Sequence, residues 1–396
     1  MKKKLLIILG AGSSIPLRLP SVADLDAQMA IWARDWNQGG RRDYYSDLHD
    51  SIDEYYKSRV VTSYPRITFE KVLGEMLALS RWVTPSPWGD TLRQAVCGHG
   101  PPSALFPTTH DYGTTNDINA QIGYLKSRLA AHMRSCCQSL GSDCKVFSDY
   151  SSIFRALRNS FDVGVFNLNY DTAALTAMPG AFTGFGEDLN FQPASVHSRQ
   201  DWNFIYHLHG CVHHSLDRQR KKIRWQHDLK GDFDDGHDSF PDEYSDEKLL
   251  AAATLLTGGF KLDQLLPEPF QSFHSALVRH LYGADAIVIG GYGFGDAHVN
   301  WALRNRFTAG TSRPPVFSFD HHSAATPSGD DRWRTRFFSS IGAPEGFFRA
   351  GADLTGTYPT RPNGQIEVDV QHRLKHCRGF IEGARCLDEI VGWLQG

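Results

Sequence analysis

Residues 5–9 of the opening stretch KLLIILGAGSS are five aliphatic side chains in a row, followed at once by two glycines and two serines. A half-exposed strand alternates apolar and polar positions, so an unbroken run of this length predicts a central parallel strand covered on both faces. The same pattern, an apolar run with a polar or glycine-rich end, recurs in FDVGVFNLNYD (161–171), FIYHLHGCV (204–212), ADAIVIGGYGFGD (284–296) and PPVFSFD (314–320). Helical spacing fills the intervals. Pro20 and Ser21 mark a helix start, after which Leu25, Met29 and Trp32 recur at helical spacing. From 39 to 160 the pattern is mostly helical, interrupted by a loop rich in Pro, Gly and Thr near 84–115, and FQSFHSALVRHLYG precedes the strand at 284.

Strands separated by helices predict an α/β fold, a Rossmann-like parallel sheet with a mostly helical insertion. The expected division is residues 1–38 and 161–345 for the sheet domain, 39–160 for the insertion, and 346–396 for a C-terminal segment ending in a helix. In such a sheet a ligand lies beyond the carboxyl ends of the strands.

The first of these ends is the most informative. Gly10 permits a sharp turn out of the strand, and Gly12 has no side chain to hold a pyrophosphate away from the backbone. Ser13 and Ser14 offer hydroxyls or a helix cap. The third glycine of the dinucleotide fingerprint falls at Ile15, so the motif is incomplete, and an ordinary strand-turn-helix corner fits it as well. No P-loop lysine follows, which removes the usual nucleoside-triphosphate reading.

Composition narrows the class. Hydrophobic residues make up 41% and aromatics 12%, enough for a folded globular chain of 396 residues, and the net charge of −3 sets up no basic field for nucleic acid. Three lysines precede the first apolar run, but it is shorter than the about 7–15 residues of a secretory signal core, which points to mature structure and a cytoplasmic location. Seven cysteines without a C-x-x-C pair indicate neither a disulfide framework nor a zinc ribbon. Residues 218–224 (RQRKKIR) are strongly basic and 228–247 strongly acidic. A solvated hairpin and loop explains both, and a nucleic-acid or subunit contact is the alternative.

Three polar strand ends carry candidate chemistry: Asn169 to Asp171, His209 with Gly210, and Gly291 to Asp296. An amide, a carboxylate and an imidazole converging over a nucleotide suit attack at a ribose carbon better than hydride transfer, because no Tyr-Lys pair or zinc-ligand set accompanies them. Asn169 and Asp171 also read as ordinary turn formers, and Asp296 as a helix cap. His207 and His209 share a strand face with His213 and His214 following, but no carboxylate or cysteine stands at metal-ligand spacing, and no metal is expected.

GAGSS with the Pro-Ser helix start, FNLNYD, HLHG and GYGFGDAHVN, in that order, resemble the sirtuin-like proteins, in particular the bacterial branch that hydrolyses NAD in antiphage defence. The resemblance covers 1–22 and 161–320. It implies NAD as substrate, with Gly10, Ala11, Gly12, Ser13 and Ser14 at the pyrophosphate and Gly291, Tyr292, Gly293 and Asp320 at the adenosine half. His209 is implied as the proton acceptor, Asn169 as the residue that holds ribose or orients water, and Asp171 as a contact on the nicotinamide side. The two cysteine pairs of the zinc-binding deacetylases are missing, and CVHHSLDRQRKKIRW stands as a hairpin in their place. Water then becomes the expected acceptor and nicotinamide and ADP-ribose the products, in an abortive-infection effector that depletes NAD. The resemblance further implies a homo-oligomer, or a partner such as a HerA-type ATPase or a short Argonaute, with nucleic acid acting at most indirectly and no membrane. Protein deacylation, ADP-ribosyl transfer and non-catalytic sensing of NAD or ADP-ribose are the rival readings.

Overall fold

The computed structural model describes residues 2–58, 67–83, 112–140, 145–220, 222–235, 237–241, 248–257, 264–308, 313–320, 366–369 and 374–396. They form two compact units. One comprises Met1–Leu19, Cys136–Cys211 and Pro269–Gly396, and the other Pro20–Ser135 and Val212–Glu268.

The first unit is built on a sheet. Its strands are β1 (Lys3–Leu9), β2 (Phe161–Asn167) and β3 (Phe204–His207). After two hairpins that belong to the second unit, β4 (His214–Asp217) with β5 (Lys222–Trp225) and β6 (His237–Pro241) with β7 (Lys248–Ala253), the sheet resumes. It continues with β8 (Ala286–Gly290), β9 (Val316–Asp320), β10 (Ile366–Asp369) and β11 (Leu374–Arg378). The order is β10-β11-β9-β8-β1-β2-β3. All neighbours are parallel except β10, which pairs antiparallel with β11 at the edge. Numbered by succession, the parallel strands run 3-2-1-4-5-6, the doubly wound order whose direction reverses between β1 and β8. The sheet is therefore α/β and Rossmann-like, as the alternation of patterns predicts. β10 and β11 lie in a segment for which the sequence pattern predicts only a terminal helix.

Residues 5–9 are almost completely buried, at 0–1% exposure, so the first apolar run is indeed the central strand. The covering helices follow from 3.6-residue spacing. The helix Lys145–Ser160 buries Phe147, Tyr150, Ile153, Phe154 and Leu157. Phe270–Gly283 buries Phe270, Phe273, Leu277 and His280, and Leu387–Gln395 buries Ile390 and Leu394. Trp393 Nε1 donates to Val316 O of β9 at 3.0 Å, which ties the last helix to the sheet.

In the second unit, the helix Val22–Asn37 starts where Pro20 and Ser21 predict. Ser21 caps it in a reciprocal box with Asp24, and this hydrogen bonding holds the Asp24 carboxyl below its usual range. A guanidinium and a carboxylate, Arg134 and Asp235, make a buried two-pronged pair, with Arg134 4.0 Å from the ring of Phe233. The β4–β5 hairpin confirms the expected hairpin after HLHG. Its charges face one another, with Arg218 on Asp234, and Arg220 and Arg224 each 3.9 Å from Asp217.

Candidate active site

Register brings the predicted residues together. Leu9 pairs with both Asn167 and Gly290, and Asn167 pairs with His207, so four strands end on one line. The residues singled out by their polarity lie one to six positions beyond that line. They all fall within the sheet unit.

At the switch point, the glycine loop closes on the end of β8. Gly10 N donates to Gly290 O and Gly12 N to Gly291 O, both at 2.9 Å, while Ser13 N and Ser14 N close short turns onto Gly10 O and Ala11 O. A Cβ at Gly10 would stand 2.7 Å from Gly291 O, one at Gly12 would stand 2.8 Å from Gly291 Cα, and Gly291 itself has φ +61°. Glycine is thus required here for backbone against backbone. The N–H groups of Gly10, Gly12, Ser13 and Ser14 are committed inside the protein. The loop is followed by two 3-10 turns, Ala11–Ser13 and Ile15–Leu17, before the helix that begins at Val22.

Asn169 is fastened to the same loop. Its Nδ2 donates to Gly10 O at 3.0 Å and also lies 3.0 Å from Ser14 Oγ and 3.3 Å from Ser13 Oγ. A carbonyl only accepts, so the amide nitrogen must face Gly10, and Oδ1 retains its capacity to accept. Asn167 Oδ1 accepts from Asn169 N at 3.0 Å and sets the turn. Asp171 is buried, with Oδ1 accepting from Ala173 N at 2.9 Å. Burial raises its carboxyl above the usual range, against hydrogen bonds from Ala173 and Ser14 that pull the other way.

His209 stands two residues past β3, where Gly210 at φ +94° turns the chain. Its Nε2 lies 3.2 Å from His298 Nε2 and 3.6 Å from Asp296 Oδ1. His209 and His298 are buried, and the Asp296 side chain is 16% exposed. The helix Ala297–Thr308 places Asp296 just before its first residue and His298 in its first turn. Tyr292 fixes this loop: its hydroxyl accepts from Asp296 N at 3.2 Å and bonds Asn300 Oδ1 at 2.9 Å, and Asn300 Nδ2 donates to Phe294 O at 2.9 Å. Burial raises the Tyr292 phenol, so it stays protonated.

His207 Nδ1 lies 3.0 Å from Asn169 O, a contact within the scaffold, and His213 stacks on Trp225 in the hairpin. Among the described residues, the only cluster with ligand atoms close enough for a cation is His209, Asp296 and His298, so His209 finds its partners beyond β8. Sequence pattern does not single out His298. Its signal is a histidine two residues after an aspartate at a helix start that follows a glycine-rich strand end. Gly293 lies in the β8 loop with open space where a Cβ would point. Asp320 ends β9 in register with Arg378, and its side chain lies outside what is described.

A SIR2-like domain model matches residues 163–341, which include Asn169, Asp171, His209 and the β8 loop. The match supports a sirtuin-like family. SIR2-like domains use NAD, and the β1–β8 switch point is where a doubly wound sheet takes a dinucleotide, so the match fits an NAD-related activity. The comparison with curated proteins returned no match. Among the described residues no helix is long and apolar enough to cross a membrane.

Proposed function

We propose that the chain is an NAD glycohydrolase that cleaves the nicotinamide–ribose bond to give nicotinamide and ADP-ribose. The observation that carries this reading is the convergence, past one line of strand ends, of Asn169 held on the glycine loop and a buried imidazole, His209. The SIR2-like match over the same strand ends supports it.

The pyridinium is a good leaving group, so the barrier lies in making an oxocarbenium-like ribosyl cation, and no strong acid is needed. Residues that fix ribose and water in place before the bond breaks lower that barrier. Asn169, with Nδ2 committed to Gly10, offers Oδ1 to a ribose hydroxyl or to water. As C1′ separates from the nicotinamide nitrogen, the bonding pair neutralises the pyridinium. Water then bonds C1′, and its proton passes to an imidazole nitrogen of His209. Asp171 acts through Ser14, which it holds against Asn169. Loss of NAD would make the protein an antiphage effector, with assembly or a partner polypeptide restraining it.

The test is nicotinamide release from NAD by the purified chain, alone and with its genomic neighbour, beside His209→Ala and Asn169→Ala. Release that both substitutions abolish is expected. NAD binding without release under any condition would overturn the reading in favour of a sensor, and release that requires an acylated peptide would make the chain a deacylase.

A further inference from the structure

His209 faces two side chains that the proposed reaction does not use. One ligand atom from each of His209, His298 and Asp296 lies within 4.8 Å of the other two, and His209 Nε2 stands 3.2 Å from His298 Nε2 and 3.6 Å from Asp296 Oδ1. Donors bound tetrahedrally to zinc at about 2.0–2.1 Å stand about 3.3 Å apart, so little movement is needed to close all three on one ion. Two neutral imidazoles and a carboxylate are the donor set of a borderline divalent cation, and the fourth position is open to water.

The surroundings fit the same use. Both imidazoles are buried, whereas the partly exposed Asp296 leaves an approach on the carboxylate side. The Tyr292 and Asn300 hydrogen bonds fix the loop that carries Asp296. The ring of His274 packs edge-on against His298 with centroids 5.4 Å apart, which sets the orientation of that ligand.

We infer that His209, Asp296 and His298 form a binding site for a divalent cation of the zinc class, and that occupancy switches the NAD chemistry off. Coordination takes the Nε2 lone pair on which His209 would accept a proton. It also places positive charge where a cationic pyridinium would have to approach. The inhibitory half rests on the proposed hydrolase reading; the metal site does not.

The experiment uses the full chain after chelator treatment and dialysis, titrated with Co²⁺ while visible absorption is followed, and with Zn²⁺ in a calorimeter. One Co²⁺ per chain with tetrahedral d–d bands, displaced by Zn²⁺, is expected. His298→Ala and Asp296→Asn should each weaken binding at least about tenfold, with His298→Gln and a thermal melt as checks on folding. Absence of a stoichiometric site in the wild-type chain overturns the proposal whatever the variants do. Equal affinity in folded His298→Ala and Asp296→Asn also overturns it.

Nicotinamide release is measured in parallel. Inhibition by Zn²⁺, reversed by chelator and at least about tenfold weaker in Asp296→Asn than in the wild-type chain, is expected. Release unaffected by bound Zn²⁺ overturns the switch. Stoichiometric Co²⁺ binding with no release under any condition overturns the hydrolase reading and leaves the metal site standing.

Discussion

The loop between Gly10 and Ser14 and the turn at His209 sit beyond the same line of strand ends, yet their polar atoms are used differently. In the first region nearly every donor closes on the protein itself: four backbone N–H groups, the Asn169 amide and the Ser13 hydroxyl, which donates to Gly10 O at 2.8 Å. In the second, three side chains, His209, Asp296 and His298, bring ligand atoms within 4.8 Å of one another. The contrast separates positioning from reactivity. A region that has satisfied its own hydrogen bonds holds shape, and one that gathers two imidazoles and a carboxylate is where a proton or a cation can be exchanged.

The sharpest way to break the comparison is to remove the imidazole. His209→Ala should lower nicotinamide release by about 10²–10⁴-fold, the usual contribution of a general base, while the urea midpoint moves little beyond the loss of one buried ring. Steady-state kinetics with a parallel unfolding curve checks this. A loss of activity that only follows a loss of fold would place His209 with the scaffold.

Gly291→Ala tests the other region. A Cβ there overlaps Ser13 N and Gly12 C, and the residue already sits at φ +61°. Backbone strain and overpacking together are expected to destabilise by about 3 kcal/mol or more. Gly293→Ala, where nothing lies within 4 Å of the new carbon, is expected to change stability by under about 0.5 kcal/mol. Urea denaturation of the pair decides whether the glycines of this loop serve backbone packing or only flexibility. Next in size is Asn169→Ala. It removes one donor from Gly10 O, which keeps the Ser13 N–H and hydroxyl, and from beside two buried hydroxyls, at a cost of about 0.5–1.5 kcal/mol.

How much of this was legible depends on what each residue meets. Residues 5–9 are unbroken and aliphatic because both faces of β1 are covered, so strand, burial and the parallel sheet follow from pattern alone. Ser21 with Asp24 is a local capping signal, and the helix starts where it says. β10 at the edge and β11 beside it were not legible, since IEVD and LKHCR are short and mix apolar with charged residues, so neither carries a run of that kind. The role of Gly12 was legible as a close approach but not as to its partner: Gly291 comes from 279 residues further along, and the approach is a tertiary fact. His298 was hidden for the same reason. Its partner is His209 across the sheet ends, and no spacing within either motif announces a contact between strands.

The smallest expected effect is also the one with a definite sign. Burial raises the Asp171 carboxyl above its unfolded value of about 3.9, so between that pH and the folded pKa the native chain holds a proton that the unfolded chain has lost. Stability from this group is complete below about pH 3.9 and falls as pH rises through the folded pKa. Asp171→Asn removes the titration and keeps an oxygen for the Ala173 N–H. The variant should therefore lack that downward step, and at pH 7 should match the wild-type chain within about 1 kcal/mol or exceed it. Urea midpoints taken for both chains from about pH 4 to 7 give the difference directly. A step of the opposite sign would mean that the hydrogen bonds from Ala173 and Ser14 outweigh burial. The glycine-loop region would then hold its carboxylate as firmly charged as an exposed one, and its claim to be only a scaffold would weaken.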